Sequence, residues 1–173
     1  MKIEDDFLEQ NVFDEMQSLM MNDGMPWYYS DIIDSDKLDR GNKFQFVHIF
    51  YWAEEPISSF GAAVKPILDK IKSISLWRIK ANLLTKTPTI VENALHTDMS
   101  SPVGDPLPEE KLKQWTTSIF YVNTNNGYTH FEDGTKVESV ANRFVSFPSN
   151  IKHGGSSCTD EKRRIVINFN YFK

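Results

Sequence analysis

The second half of the chain is a succession of short, strand-like runs separated by turns. Between Trp115 and Phe172, stretches of β-branched and aromatic residues alternate with clusters rich in Asn, Gly, Asp and Pro. These stretches predict strands over residues 115–122, 128–132, 135–140, 143–147 and 165–172. Several short strands at nearly even spacing are typical of a β-sandwich or a β-barrel. The fold of this half is thereby restricted to a β-structure that is closed on itself or built in two layers.

The first half of the chain supplies helices and two further strands. Apolar residues at helical spacing predict helices over residues 4–21 and 58–74. Pro66 either kinks the second helix or sets its true start near Lys65. Strands are predicted over residues 44–50 and 76–84, and the second alternates charged with apolar residues, as a strand with one wet face does. We therefore expect a mainly β (α+β) fold, with a barrel-like core and N-terminal helices packed on one side.

Two polar stretches, residues 31–42 and 100–113, are predicted to be loops. The second contains three prolines and a glycine, and loops of this length inside a compact domain often cover a binding site. A lid is therefore one interpretation of residues 100–113, and a plain surface excursion is the other. No repeat or linker interrupts the sequence, so we expect residues 1–173 to form one domain.

Charge and cysteine content exclude several classes of function. The chain carries 24 acidic and 19 basic residues, a net charge of −5, whereas a broad contact with nucleic acid normally requires a positive surface. Cys158 is the single cysteine, so no disulfide framework is expected. The acidic N-terminus has no apolar signal region, and no apolar run approaches the roughly 20 residues of a membrane helix. We expect a cytoplasmic protein that does not bind membranes and for which nucleic acid is a disfavoured partner.

The triplet His96-Thr97-Asp98 is the strongest candidate for a reactive site. Side chains two residues apart share a face of an extended backbone, so the histidine and the carboxylate can point at one cation. His153 is a candidate third ligand. Two histidines and one carboxylate on one side of a metal, with the other positions open, is the arrangement of non-haem Fe(II) oxygenases.

The pair His130 and Glu132 has the same spacing and is a rival for the metal. It lies just before Asp133-Gly134, a strong hairpin signal, so strand alternation is expected to direct both side chains outward near a hairpin tip. His96 instead ends a loop that leads into the predicted barrel. The first pair is therefore preferred, and the second stays an alternative.

Arg164 is a candidate anion-binding residue. It follows His153 by eleven residues, and the intervening turn-rich segment would let two neighbouring strands bring both residues to one pocket. A guanidinium group can bind a carboxylate through two parallel hydrogen bonds. The alternative is a solvated charge at a strand edge, the role expected for Arg163, because adjacent strand residues face opposite ways.

Taken together, the order of these motifs resembles that of a known family. A strand, His96-x-Asp98, a second strand, the turn Gly127-Tyr128-Thr129, Phe147-Pro148, His153 and finally Arg164 follow one another along the chain. This order resembles the 2-oxoglutarate and Fe(II)-dependent dioxygenases, especially the prolyl 4-hydroxylase-like group and its small single-domain members from phages and bacteria. The resemblance covers about residues 76–172. It implies a double-stranded β-helix of the jelly-roll or cupin-like type, buttressed by the N-terminal helices.

The resemblance also implies roles for individual residues. His96, Asp98 and His153 would be the iron ligands, and Arg164 would pair with the distal carboxylate of 2-oxoglutarate. The further residues implied at the cosubstrate are Tyr121 and Thr129, with Asn82 and Asn170 as pocket candidates by strand position. The sequence departs from the family in its Gly-Tyr-Thr turn in place of Gly-Gly-x-Thr, in a longer interval before the arginine, and in Leu83-Leu84 where relatives can carry a tyrosine.

The implied activity is hydroxylation of an unactivated C–H, with Fe(II), 2-oxoglutarate and O2 as cofactors and cosubstrates and with release of succinate and CO2. The resemblance suggests a prolyl or other residue of a peptide or protein as substrate. The alternatives are an oxygenase of a small molecule and a non-catalytic, cupin-like metal-binding barrel. The residues of the sequence name neither a substrate nor an oligomeric state.

Overall fold

Two antiparallel sheets and three helices make up the part of the chain that the computed structural model describes, namely residues 1–31, 33, 43–53, 55–99 and 107–173. The strands are β1 (Lys2–Glu4), β2 (Tyr28–Ser30), β3 (Gln45–Trp52), β4 (Glu55–Pro56), β5 (Ser75–Thr85), β6 (Thr116–Tyr121), β7 (Tyr128–Phe131), β8 (Lys136–Glu138), β9 (Arg143–Pro148), β10 (His153–Gly155) and β11 (Arg163–Phe172). The helices are α1 (Gln10–Met21), α2 (Lys65–Ile71), which follows a 3-10 turn at Gly61–Ala63, and α3 (Glu109–Leu112).

The larger sheet has the strand order β1-β9-β6-β11-β5-β3-β2, with β4 paired to β3. The smaller sheet has the order β10-β7-β8. Neighbouring strands of the large sheet can be far apart in the sequence. The last strand, β11, lies between β6 and β5. This connectivity brings residues from both halves of the chain to the centre of one sheet.

Alternation along the strands divides the large sheet into two faces. On β11, Ile165, Ile167 and Phe169 belong to the apolar core that includes the buried face of α1. Val166, between them, packs instead with Phe131 of the small sheet. The molecule is therefore layered as helices, large sheet and small sheet, which confirms the predicted double-stranded β-helix with helices on one side.

The seven predicted strands are confirmed to within two residues at each end, and the helices are shorter than predicted. The helix predicted over residues 4–21 begins only at Gln10, because Lys2–Glu4 pairs with β9 and Asp6 has a positive φ of 49° that breaks a helix. The second helix begins at Lys65, with Pro66 in its first turn. It ends at Ile71, because Lys72 adopts the left-handed conformation.

Part of the predicted loop 100–113 is helical, since α3 occupies Glu109–Leu112. Residues 100–106 of this predicted loop, and most of the predicted loop 31–42, lie outside the described residues, and so does the lid interpretation. None of the helices described is long and apolar enough to cross a membrane.

Candidate metal centre and anion site

A short stretch of backbone pairing joins the two candidate histidine ligands. The amide nitrogen of His96 donates to the carbonyl of His153 at 3.0 Å, and the amide nitrogen of His153 donates back to the carbonyl of His96 at 3.0 Å. Such a doubly bonded antiparallel pair fixes the relative position of the two residues. The rings lie side by side, with centroids 5.2 Å apart. Residues that are 57 positions apart in sequence are thereby held as neighbours.

Asp98 completes a cluster of three potential metal ligands. Its Oδ1 lies 3.7 Å from His96 Nε2, and its Oδ2 lies 3.8 Å from His153 Nε2. One ligand atom from each residue lies within 4.8 Å of the other two, and no other group of this kind occurs among the described residues. His153 Nε2 is buried and has no hydrogen-bond partner there. A divalent cation between the three side chains would satisfy this nitrogen, so the donor set fits a metal.

Backbone carbonyls select the tautomer in which each histidine can bind a metal. His96 Nδ1 donates to the carbonyl of Ala94 at 3.0 Å, and His153 Nδ1 is 3.3 Å from the carbonyl of Ile151. With the proton on Nδ1, the Nε2 lone pair of each ring faces the shared space. Both imidazoles are therefore oriented as ligands by hydrogen bonds from outside the cluster.

Asp98 is held by three side chains of the large sheet. Arg78 Nη2 lies 2.9 Å from Asp98 Oδ1, while the amide nitrogens of Asn168 and Asn170 lie 3.3 and 3.2 Å from Oδ2. Arg78 Nε also donates to Asn170 Oδ1 at 3.0 Å. Burial alone would raise the pKa of Asp98, but the attraction of Arg78, reinforced by the two histidines, outweighs burial and holds the pKa well below its usual value. The carboxylate is therefore ionised and fixed in orientation.

The pKa values of the two histidines are shifted in opposite directions. Burial would lower the pKa of His96, but the attraction of Asp98 outweighs burial and raises that pKa. Burial dominates at His153 and lowers its pKa, despite the attraction of Asp98. The neutral imidazole required of a metal ligand is thus favoured at His153.

Arg164 is a fully buried cation on the inner face of the large sheet, 1% exposed. Its Nε donates to Ser139 Oγ at 2.7 Å and its Nη2 lies 3.3 Å from Thr129 Oγ1, which also accepts from Tyr121 Oη at 2.8 Å. Within the described part of the chain it forms no ion pair with an acidic side chain. Burial lowers the pKa of Arg164. A buried guanidinium paired only with hydroxyl groups is suited to bind an anion.

The backbone passes close to this arginine at Gly127. A Cβ at that position would lie 2.6 Å from Arg164 Cδ and 2.7 Å from the carbonyl oxygen of Ser157. A side chain at residue 127 would therefore push the arginine out of place. The glycine of the Gly-Tyr-Thr turn has this steric role even though the turn departs from the family pattern.

One cavity of about 600 Å³ joins the metal ligands to the arginine. His96, Asp98 and His153 line it, as do Thr129 and Arg164. Its floor is formed by alternate residues of β5, namely Arg78, Lys80, Asn82 and Leu84. The wet face predicted for this strand therefore faces the cavity that holds the candidate metal ligands.

The remaining predicted site residues fall around this cavity. Asn82 lines it, whereas Tyr121 lies behind Thr129 and Asn170 contacts Asp98. The rival pair lies elsewhere: His130 Nε2 bonds the carbonyl of Asn93 at 3.0 Å, and Glu132, 65% exposed, lies 3.6 Å from Lys152.

Sequence reasoning missed three residues of the cavity. Arg78, Lys80 and Asn168 were not among the predicted site residues, yet two of them hold Asp98. The signal available was the alternation of charge along residues 76–84, read correctly as a polar face but not assigned to a site. Arg163 was expected to be a solvated charge; it faces the other side of the sheet, as predicted, but is half-buried and donates to the carbonyl of Met21.

Comparison with solved structures identifies the fold. A prolyl hydroxylase from Trichoplax adhaerens, in complex with a peptide fragment of the hypoxia inducible factor oxygen degradation domain, matches 99% of this chain and 82% of its own, with a TM-score of 0.66 and 13% identity. The viral collagen prolyl hydroxylase of Paramecium Bursaria Chlorella virus-1 matches 99% and 89%, with a TM-score of 0.59 and 14% identity. HygX from Streptomyces hygroscopicus, with nickel, 2-oxoglutarate and hygromycin B bound, matches 98% and 81%, with a TM-score of 0.62 and 7% identity.

The sequence matches no family model and no curated protein. The structural likeness extends over nearly the whole chain and establishes the jelly-roll fold of the 2-oxoglutarate and Fe(II) oxygenases.

Proposed function

We propose that this protein is an Fe(II)- and 2-oxoglutarate-dependent oxygenase that hydroxylates an unactivated C–H, with residues 1–173 acting as one domain. One observation carries the proposal: a buried arginine with no acidic partner among the described residues lies in the same cavity as a His-Asp-His cluster. A metal-binding barrel without a cosubstrate would provide no anion to pair with this buried guanidinium. A dicarboxylate bridging the metal and Arg164 satisfies both features at once.

The chemistry of the donors fits Fe(II). Imidazole and carboxylate ligands on one side of the ion leave positions open for a cosubstrate and for dioxygen. Bound there, Fe(II) supplies the oxidising chemistry in which 2-oxoglutarate is converted to succinate and CO2 and one oxygen atom enters the substrate C–H. The protein contributes the ligand set, its orientation and a sheltered cavity.

The proposed roles of the chain's own residues follow from their contacts. His96, Asp98 and His153 hold the metal, and Arg78, Asn168 and Asn170 fix the carboxylate of Asp98. Arg164 binds the distal carboxylate of 2-oxoglutarate, assisted by the hydroxyl of Thr129, which Tyr121 orients. The apolar side chains of Leu84, Ile119 and Val166 in the cavity wall limit the access of water to the reacting atoms.

The substrate class is the finer part of the proposal. One structural neighbour is a prolyl hydroxylase bound to a peptide fragment, and another holds hygromycin B together with 2-oxoglutarate. A residue of a peptide, such as proline, and a small molecule are thus both precedented on this fold.

The test is an anaerobic titration of 2-oxoglutarate into the Fe(II)-loaded protein. Chelation of Fe(II) by the keto acid gives a visible charge-transfer band, which we expect for the wild-type chain. His153→Ala should give no band, and Arg164→Met should require much more 2-oxoglutarate for the same absorbance. If the wild-type protein binds Fe(II) but shows no band, the chain is a metal-binding barrel and the proposed function is wrong.

A further inference from the structure

Lys80 is a further cation in the cavity. It has no role in the proposed metal binding or in the proposed binding of 2-oxoglutarate. It lies on the inner face of β5 and lines the cavity together with Arg78 and Asn82. Within the described residues its ammonium group makes no hydrogen bond and no ion pair. Burial, reinforced by the nearby Arg78, lowers the pKa of Lys80 to about 8. A partly buried ammonium group without a partner is unfavourable unless an anion accompanies it.

The strand register separates Lys80 from the cosubstrate arginine. Arg164 lies opposite Leu84, whereas Lys80 lies opposite Asn168, four residues further along β11. At about 3.3 Å per residue, this is a displacement of roughly 13 Å along the sheet. A 2-oxoglutarate that extends from the metal ligands to Arg164 occupies the Leu84 end of the cavity. Lys80 is at the other end, where Asn168 contacts Asp98.

Asn168 adds an independent feature to the same position. Its amide nitrogen faces Asp98 Oδ2 at 3.3 Å, and because an ionised carboxylate only accepts hydrogen bonds, this contact fixes the orientation of the amide. The amide oxygen is buried and has no partner among the described residues. Lys80 and Asn168 therefore offer a cationic donor and a buried acceptor as cross-strand neighbours beside a proposed metal ligand.

We propose that Lys80 and Asn168 form a substrate subsite for a carboxylate group that carries a neighbouring hydrogen-bond donor. This inference rests on the proposed function and names its substrate class: a small carboxylic acid, such as an amino acid or a hydroxy acid. The ammonium of Lys80 binds the carboxylate. Asn168 Oδ1 accepts from the ammonium or hydroxyl group next to it, so the C–H to be oxidised lies beside the metal ligands.

A second lysine of the same cavity provides a matched control. Lys152 also lines the cavity, but its side chain is 54% exposed and its ammonium lies 3.6 Å from Glu132. Lys80→Met and Lys152→Met remove the same charge from the same cavity at similar side-chain length. A general effect of cavity charge would appear in both variants, whereas the loss of a specific carboxylate contact appears only in the first.

The experiment is calorimetric titration of the anaerobic Fe(II) protein, saturated with 2-oxoglutarate, with paired probes. The pairs are L-proline and L-prolinamide, L-leucine and L-leucinamide, and blocked tripeptides with a central glutamate or glutamine. We expect at least one carboxylate probe to bind. We expect its affinity to fall roughly 10- to 100-fold in Lys80→Met or on replacing the carboxylate by a carboxamide, and less than twofold in Lys152→Met.

Each outcome decides the inference. Binding of the free amino acids, and not of their amides, supports a small acid as substrate. Binding of the glutamate peptide alone overturns the inference, because a glutamate side-chain carboxylate has no neighbouring ammonium or hydroxyl group to donate to Asn168 Oδ1. The inference is overturned if no carboxylate probe binds, if carboxamides bind equally well, or if Lys80→Met weakens 2-oxoglutarate as Arg164→Met does. If the wild-type protein does not bind 2-oxoglutarate at all, the proposed function fails instead.

Discussion

The guanidinium of Arg78 lies 2.9 Å from the carboxylate of Asp98, and both side chains are almost fully removed from solvent, at 12% and 4% exposure. An ion pair in such a place orients its members strongly, because each would be an uncompensated buried charge without the other. The pair fixes one oxygen of the proposed metal ligand while Asn168 and Asn170 engage the other. The geometry of the proposed metal centre therefore depends on the large sheet as much as on its three candidate ligands.

Replacing Arg78 should weaken the metal site. In Arg78→Met, the carboxylate of Asp98 loses its buried counter-charge, so we expect Fe(II) affinity to fall about 10- to 100-fold and the free energy of unfolding to fall by about 3–5 kcal/mol. Metal titration and denaturant unfolding measure the two effects. Arg143→Met is the control, because Arg143 pairs with Asp5, which is 54% exposed, and such surface pairs contribute about 0–1 kcal/mol. Equal effects of the two variants would contradict the proposed orienting role of Arg78.

Arg164 and Arg163 should differ sharply in their effect on cosubstrate binding. Arg164 faces the cavity, whereas Arg163 reaches the end of α1 on the other side of the sheet. Arg164→Met should raise the Kd of 2-oxoglutarate roughly 10-fold or more, since a buried charge-assisted contact is lost. Arg163→Met should leave that Kd within about twofold of the wild-type value. Calorimetry with 2-oxoglutarate under anaerobic conditions gives both numbers, and a reversed order would place the cosubstrate elsewhere.

A methyl group at Gly127 should displace Arg164 and so weaken the binding of 2-oxoglutarate. In Gly127→Ala the new Cβ would lie 2.6 Å from Arg164 Cδ, so the arginine or the backbone must shift. We expect a loss of about 1–3 kcal/mol in unfolding free energy, together with weaker 2-oxoglutarate binding. Gly61→Ala introduces the same methyl group where nothing lies within 4 Å, and it should change neither property. Thermal unfolding and 2-oxoglutarate titration of the two variants provide the comparison.

Lys80 should reduce stability at neutral pH. Its pKa of about 8 in the folded chain lies below the ordinary value of 10.5, so the unfolded chain binds more protons between these values and stability rises with pH across that window. Below pH 8 the buried, charged Lys80 lowers the free energy of unfolding by its full amount, roughly 3 kcal/mol. Lys80→Met should therefore be more stable than wild type at pH 7, by an amount that shrinks from pH 8 to 10.5. Denaturant unfolding measured at several pH values tests this. A stability difference between Lys80→Met and the wild type that does not change between pH 7 and pH 10.5 would contradict this prediction.

The strands were predictable because β-branched and aromatic runs, alternation and turn residues are all local features of the sequence. β6 and β11 carry apolar residues on both faces and β5 carries apolar residues on one, and each was found within two residues of its predicted bounds. The short strand β1 was not predictable, since Lys2–Glu4 has no apolar pattern and is a strand only through its pairing with β9. For the same reason the predicted first helix extended too far toward the N-terminus.

The candidate ligands were recognisable because their residue types and order are unusual, whereas the groups that orient them were not. Arg78 lies beside Asn170 only because β5 pairs with β11 in one particular register, and the sequence does not specify the register between strands whose paired residues are 78 to 97 positions apart. Lys80 and Asn168 are cross-strand neighbours through that same register. Local chemistry could therefore be read from the sequence, but the neighbours of each site residue could not.

Succinate formation from 2-oxoglutarate tests the central claim most directly. The purified chain, supplied with Fe(II), 2-oxoglutarate and O2, should release succinate at a rate that is abolished by removing iron with a chelator and by His96→Ala. The Arg164→Met variant should reach part of the wild-type rate only at a much higher concentration of 2-oxoglutarate. Succinate release that persists without iron, or its absence from the wild-type protein under these conditions, would contradict an oxygenase built on His96, Asp98, His153 and Arg164.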